Sequence, residues 1–379
     1  MAGVGHGEWW WRAGPAIYTG DMTSPRLRIG IALLASALTA TLASPAGAAG
    51  PGWFWNPPQC DTVYGDGSVT ITKSDGAELA PTKGELQPVT YAKVAALDEP
   101  NTLIAIGRQS IQRSSDAGCS WQQIDKSPDD LATYDVVPGA GDSAYIYSVN
   151  DQPIHRVRGN RVSTVAGPVA GSGLSAFAAV PGMLRVVAGD GQIYDSPDDG
   201  STWRRTGVPA ARDLFVYQAV IDPRDPGHIV VGVMSDGVYT TFDSGRTWHH
   251  SEPVTRVNAF SLAISPADPR VVWMEGYDRD EAARYIWRSD DGGLKFRPVV
   301  DASRATLYNG NRMWASPVDP DLLYFSYGTS FANYGADLYR FRLSTDELTK
   351  QHNNHDGIPS LAFNPADPTI LYLGLAEER

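Results

Sequence analysis

The chain has 379 residues, with 31 Lys and Arg against 43 Asp and Glu and a formal charge of −12. That balance excludes a nucleic-acid surface of clustered cations, and no apolar run reaches the ~18 residues of a membrane-crossing helix. Its 38 glycines and 27 prolines favour many short strands joined by tight turns, and a propeller uses this length as one unit.

The N-terminus reads as a targeting segment. Residues 22–28 (MTSPRLR) are basic, 29–42 (IGIALLASALTATL) are apolar, and Ala46-Gly47-Ala48 is a small-residue cleavage signal. Together they form a secretory signal peptide over 22–48, cut after Ala48. Residues 1–21, with Trp9-Trp10-Trp11, lie upstream of that complete signal and read as a mis-assigned start, with Met22 the initiator. The alternative is a genuine long leader. Secretion implies an extracellular, oxidising setting, in which the two cysteines, Cys60 and Cys119, can pair. The pair would close a loop of about 60 residues, worth ~3–4 kcal/mol in the chain-entropy model. Two buried free thiols are the alternative. Residues 49–67 form an N-terminal extension, and the repeating domain is expected over 68–379.

Within that domain one motif recurs, Ser/Thr-x-Asp-x-Gly-x-Thr-Trp. It stands at 114–121 (SSDAGCSW), 196–203 (SPDDGSTW) and 241–248 (TFDSGRTW), with a weaker copy at 289–296 (SDDGGLKF). Asp116, Asp198, Asp243 and Asp291 accept hydrogen bonds from the backbone of their own turn. Gly118, Gly200, Gly245 and Gly293 supply a positive φ, and Trp121, Trp203, Trp248 and Phe296 anchor each turn on its sheet. The motif resembles the Asp box (BNR repeat) of the sialidase superfamily, which implies a β-propeller and is almost silent on activity.

A second repeat interleaves with the first: an apolar strand, a Pro-x-Asp-Pro turn and a β-branched strand. VIDPRDPGHIVVG (220–232), AISPADPRVVWM (263–274), ASPVDPDLLYF (315–325) and AFNPADPTILYLG (362–374) share this plan, with looser copies earlier. The turns fall near residues 100, 138, 181, 226, 269, 320 and 368, at intervals of roughly 40 to 50, the length of a four-stranded blade. After the seventh turn only 370–374 remains as a strand. The missing outer strands stand at 68–79 (SVTITKSDGAEL). The predicted fold is therefore all-β, one seven-bladed propeller of four-stranded blades whose last blade is shared by the two termini, which hides the open edges.

Specificity should lie in what differs between blades. Three insertions stand out in the fifth and sixth: 274–285 (MEGYDRDEAARY), 302–312 (ASRATLYNGNR) and 326–336 (SYGTSFANYGA). Their Tyr277, Asp278, Asp280, Tyr308, Asn311, Arg312, Tyr327 and Tyr334 are the residue types that interfaces enrich. His352 and His355, in the loop entering the last blade, join them as candidate partner-binding residues. Ordinary solvated loops packed on the scaffold are the competing reading. His352, His355 and Asp356 make a weak metal pattern without fixed geometry, better read as a polar turn. No metal and no cofactor are expected. The adjacent acids Asp129-Asp130 and Asp280-Glu281 read as solvated surface, and no nucleophile elbow, zinc helix or phosphate loop occurs. Sialidase chemistry needs an arginine motif before the first Asp box, where only Arg108 and Arg113 occur.

The opening 53–67 (WFWNPPQCDTVYGDG), the single cysteine pair and the lack of catalytic motifs resemble a family of secreted actinobacterial propellers that induce protease autolysis. The resemblance implies a non-enzymatic protein that engages a secreted neutral metalloprotease and promotes its self-digestion, and the chain is expected to be a monomer. It also implies a glutamine substrate for a secreted transglutaminase. Gln87, before a proline in GELQPVT, is then the first candidate. Gln192 and Gln351 are second choices, and Gln218 should be buried. The alternative is an Asp-box glycoside hydrolase acting on extracellular polysaccharide, which needs two carboxyls roughly 5–10 Å apart across a cleft.

Overall fold

The computed structural model describes residues 54–378, except 129–133, 151–152, 169–172, 211–214, 309 and 329–334. The upstream segment 1–21, the signal segment 22–48, the acid pair Asp129-Asp130 and the candidate Tyr334 lie outside the described residues.

The described residues form seven antiparallel sheets arranged as blades. Blade 1 runs from an inner strand Lys93–Ala96 through Leu103–Ile106 and Ser110–Ser114 to an outer strand Gln122–Lys126. Blades 2 to 6 repeat the plan from inner strands Tyr134–Pro138, Leu174–Val180, Val216–Ile221, Val257–Ile264 and Arg312–Ala315. The seventh sheet takes its inner strands, Gly357–Phe363 and Ile370–Glu377, from the C-terminus. Its outer strands, Val69–Lys73 and Glu78–Ala80, come from near the N-terminus. Ile71 pairs with Tyr372, so the expected shared blade is what closes the ring.

Residue type follows position in the blade. Second strands are covered on both sides by neighbouring blades and read as unbroken apolar runs. Leu103–Ile106 and Ile229–Val233 are buried at every position. Outer strands face solvent and are polar, as in Gln122–Lys126 and Glu347–Asn353, which blunts their unpaired edges. The core therefore sits between blades: Trp273 of blade 5 packs with Leu323, Phe325 and Phe341 of blade 6.

The N-terminal extension is part of this closure. Val63 bridges Thr82 of blade 7 and Tyr64 bridges Ser120 of blade 1, and Cys60 and Cys119 form a disulfide across the same seam. The four motif turns have the geometry their residues dictate. Asp198 accepts from the backbone N–H and hydroxyl of Thr202 at 2.7 and 2.6 Å, and the N–H of Gly200 donates to Ser196 at 2.8 Å. Asp116 and Asp243 repeat the pattern with Ser120 and Thr247, and Asp291 keeps its backbone part, accepting the N–H of Lys295. Gly118 has φ +88° and a Cβ there would meet the Tyr372 ring at 2.8 Å, so the turn of blade 1 docks against blade 7 only as glycine. Hydrogen bonds from Thr202 hold the Asp198 carboxyl below its ordinary range, and those from Thr247 hold that of Asp243 down to about 2. Asp198→Ala or Asp243→Ala is expected to lower the melting temperature by several degrees and leave partner binding intact. Calorimetry beside a binding assay checks this, and an unchanged melting temperature with lost binding would contradict it.

Candidate binding face

Strand register decides which loops share an end of the ring. In blade 5, Val257 pairs with Asp278 and Tyr285 with Asp301. The entry of the inner strand, the hairpin tip near 279–282 and the exit of the outer strand therefore lie together. The motif turns, between third and fourth strands, lie at the opposite end. In blade 6, Gly328 pairs with Ala336 and Ala336 with Asn353, which puts the described ends of the third insertion and the 353–356 loop on the insertion end as well.

The first insertion is an extension of a hairpin: Val272–Asp278 and Ala283–Ser289 stay paired to their last residues. Asp278 closes the tip by accepting from the N–H groups of Asp280 and Glu281, and Asp280 pairs with Arg256 at 2.6 Å. The guanidinium of Arg284 lies over the Tyr277 ring at 5.1 Å and the Tyr308 ring at 5.9 Å. This stack joins the first and second insertions, and leaves Tyr308 63% exposed. Tyr308, Arg312 and Tyr327 then line one cavity of 280 Å³ between blades 6, 7 and 1.

Several expected site residues have other roles. Asn311 is buried, donating its amide to the carbonyls of Thr306 and Ser326 and accepting from the N–H of Tyr308. These bonds spend its side-chain amide on holding the loop, although the residue also borders the 280 Å³ cavity. His352 bonds Asp337 at 2.8 Å, whereas His355 lies 3.4 Å from Glu377, and both line a separate outer groove. Asp356 is buried with Oδ2 accepting the N–H of Glu378. Gln192 is also a correction: it is 3% exposed and donates its amide to the Ile193 and Thr206 carbonyls, so no enzyme can reach it. Gln218 is half-buried on the axial wall, accepting from Leu262, rather than buried. Gln87 is exposed, in a segment without strand structure, and Gln351 is half-buried against Gly76.

Sequence reading missed two groups beneath this face. Lys93 opens the inner strand of blade 1 and is 1% exposed, with no hydrogen bond to its Nζ. Burial, then Arg312, push its ammonium down to about 8. Glu275 is wholly buried; Oε2 accepts from the N–H of Gly310 at 3.1 Å and Oε1 has no hydrogen-bond partner. Burial pushes this carboxyl up to about 8. The signal for both was a single charge inside an apolar strand, KVAAL and VVWMEG.

Inner strands of all seven blades surround an axial cavity of 670 Å³. Among the described residues its lining carries two charged side chains, Asp135 and Arg312, one of them a carboxylate. Among the described residues no three His, Cys, Asp or Glu gather as metal ligands, and no helix is long and apolar enough to cross a membrane.

No family model matches the chain. It is 40% identical over 369 residues to the dispase autolysis-inducing protein of Streptomyces mobaraensis, covering 92% of this chain and 98% of that protein. An oligoxyloglucan-reducing end-specific xyloglucanase of Emericella nidulans is 30% identical over 113 residues, 27% of this chain and 14% of that enzyme. Among solved structures, the GH74 enzyme of Niastella koreensis matches with TM-score 0.56 at 12% identity, over 80% of this chain and 53% of that one. YCF48 from Cyanidioschyzon merolae matches with TM-score 0.55 at 12% identity, over 80% of this chain and 98% of that one. Both structural likenesses are to the propeller fold alone. With 40% identity sustained along nearly its whole length, the chain belongs to the family of the dispase autolysis-inducing protein.

Proposed function

We propose that this chain is a secreted, non-catalytic propeller that binds a neutral metalloprotease through the insertion face and promotes its autolysis. The observation that carries the reading is the end-to-end identity to a relative named for inducing dispase autolysis and not for a reaction of its own. The Cys60–Cys119 disulfide supports an extracellular setting. The Tyr277–Arg284–Tyr308 stack supports the choice of face, since Tyr and Arg concentrate binding energy when held rigid. A transglutaminase would use Gln87, whose exposed backbone can enter an extended cleft.

The local likeness to a xyloglucanase keeps a hydrolase as the second reading. Its chemistry needs two facing carboxyls, whereas among the described residues lining the axial cavity the one carboxylate is Asp135, already between Lys93 and Arg312. Incubating the protein with a casein-digesting neutral metalloprotease, and separately with xyloglucan and other glucans, tests both. Faster self-digestion of the protease with no new reducing ends is expected. Released oligosaccharide with an unaffected protease would replace this reading with the hydrolase.

A further inference from the structure

Two cations meet near the propeller axis around one carboxylate, and one of them, Lys93, is buried without a hydrogen-bond partner. Lys93 Nζ lies 3.9 Å from Asp135 Oδ1, and Arg312 Nη1 lies 3.6 Å from Asp135 Oδ2. One carboxylate thus stands between two cations at ion-pair distance but outside hydrogen-bond distance of both. Among the described residues neither cation donates a side-chain hydrogen bond; the Lys93 ammonium is sealed from bulk water, whereas the Arg312 side chain is 44% exposed and open to an incoming ligand. Such groups are normally satisfied when buried. The acids nearby are better served: Asp356 accepts from the N–H of Glu378, and Glu378 accepts from the Tyr91 hydroxyl at 2.7 Å. The unmet demand at this place is for an acceptor with negative charge.

The surroundings say what else the ligand would carry. The 280 Å³ cavity that Lys93 lines opens on the insertion face, and it meets the 670 Å³ axial cavity at Gly310, Arg312 and Pro359. Tyr308, Tyr327 and Ile358 wall the first, and Phe260, Trp314 and Phe363 wall the second. A charged fixing point in a preformed cavity of mixed polar and apolar wall, with aromatic faces beside it, is a usual form of a small-ligand site.

We propose that Lys93 and Arg312 form a binding site for the free carboxylate of a ligand with an apolar or aromatic body, seated where the two cavities meet. A small organic acid and the C-terminal residue of a peptide chain present the same chemistry. Both ammonium and guanidinium donate to the carboxylate, the latter in a forked pair, and the apolar body displaces water from the tyrosine and tryptophan faces. Asp135 competes with the ligand for both cations. The site does not depend on the protease reading, because its test reads ligand binding alone.

The experiment is calorimetric titration of the full chain with N-acetylphenylalanine, with its amide, and with a tetrapeptide ending in phenylalanine as free acid or as amide. Saturable binding of the acids and at least tenfold weaker binding of the amides are expected. A tetrapeptide that binds more tightly than N-acetylphenylalanine identifies a chain terminus as the ligand; the reverse order identifies a small acid. Lys93→Met and Arg312→Gln should each weaken acid binding tenfold or more. Asp135→Asn should strengthen it, a gain that a merely structural role would not produce. If Lys93→Met fails to fold, the other two variants decide. Equal affinity for acid and amide, no saturable binding at millimolar concentration, or Asp135→Asn binding no better than the parent would each overturn the site.

Discussion

Glu275→Gln is expected to flatten the dependence of stability on pH between 5 and 8. The Glu275 carboxyl titrates at about 8 in the folded chain because burial penalises its charge, and near 4.5 when unfolded. A raised carboxyl contributes stability that is fully present below the unfolded value and is lost as pH rises toward the folded one. Over that window the unfolded chain releases a proton that the folded chain keeps, at about 1.4 kcal/mol per pH unit. The parent should therefore lose up to about 4 kcal/mol from this group between pH 5 and pH 8. Glutamine can still accept the Gly310 N–H but has no charge to desolvate. Its buried amide needs an acceptor, so the absolute stability at pH 5 falls somewhat, and the readout is the difference in slope. Lys93 acts in the opposite sense and a higher window: its folded value near 8 lies below the unfolded 10.5, so it favours folding as pH rises from 8 to 10. Denaturant melts of parent and Glu275→Gln at several pH values give the answer. Parallel curves would show that Glu275 is ionised in the fold.

Replacing Cys60 and Cys119 together by serine should cost about 4 kcal/mol in the chain-entropy model, a fall of roughly 6 °C in melting temperature for a domain of this size. The sequence separation is 59, so the bond removes a long loop from the unfolded ensemble. It also lies at the seam that matters most, where the N-terminal extension seals blade 7 against blade 1 through Val63, Tyr64 and Trp121. The loss should therefore appear first in the shared blade, read by faster hydrogen exchange at Val69–Lys73. An unchanged melting temperature would mean that packing alone closes the ring.

The ring was legible because its signals are local and repeated. A Pro-x-Asp-Pro turn needs only neighbouring residues to form, and seven turns at blade spacing count the blades. Even the shared seventh blade followed from two strands missing at 370–379 and two surplus ones at 68–79. The geometry of the candidate face was legible in part. Loop length exposed the insertions, yet only the folded chain brings Arg284 between Tyr277 and Tyr308. Asn311 shows the limit: an asparagine in a polar loop looks available, and here it holds that loop to Ser326. Gln192 fails for the same reason, since its burial depends on the carbonyl of Thr206, a residue fourteen positions away on the facing strand. Lys93 and Glu275 were hidden because a charge gains meaning only from the blades around it.

The most direct measurement compares two faces of one molecule. The parent protein, a Tyr277→Ala/Tyr308→Ala variant of the insertion face and an Arg204→Ala/Arg246→Ala variant of the motif-turn end are each incubated with a neutral metalloprotease, and its fragmentation is followed with time. The account predicts that the parent and the arginine variant accelerate autolysis alike, while the tyrosine variant, folded to the same melting temperature, acts at least tenfold more weakly, about 1.4 kcal/mol of lost binding. Full activity of the tyrosine variant together with loss in the arginine variant would place the partner on the opposite face and contradict it.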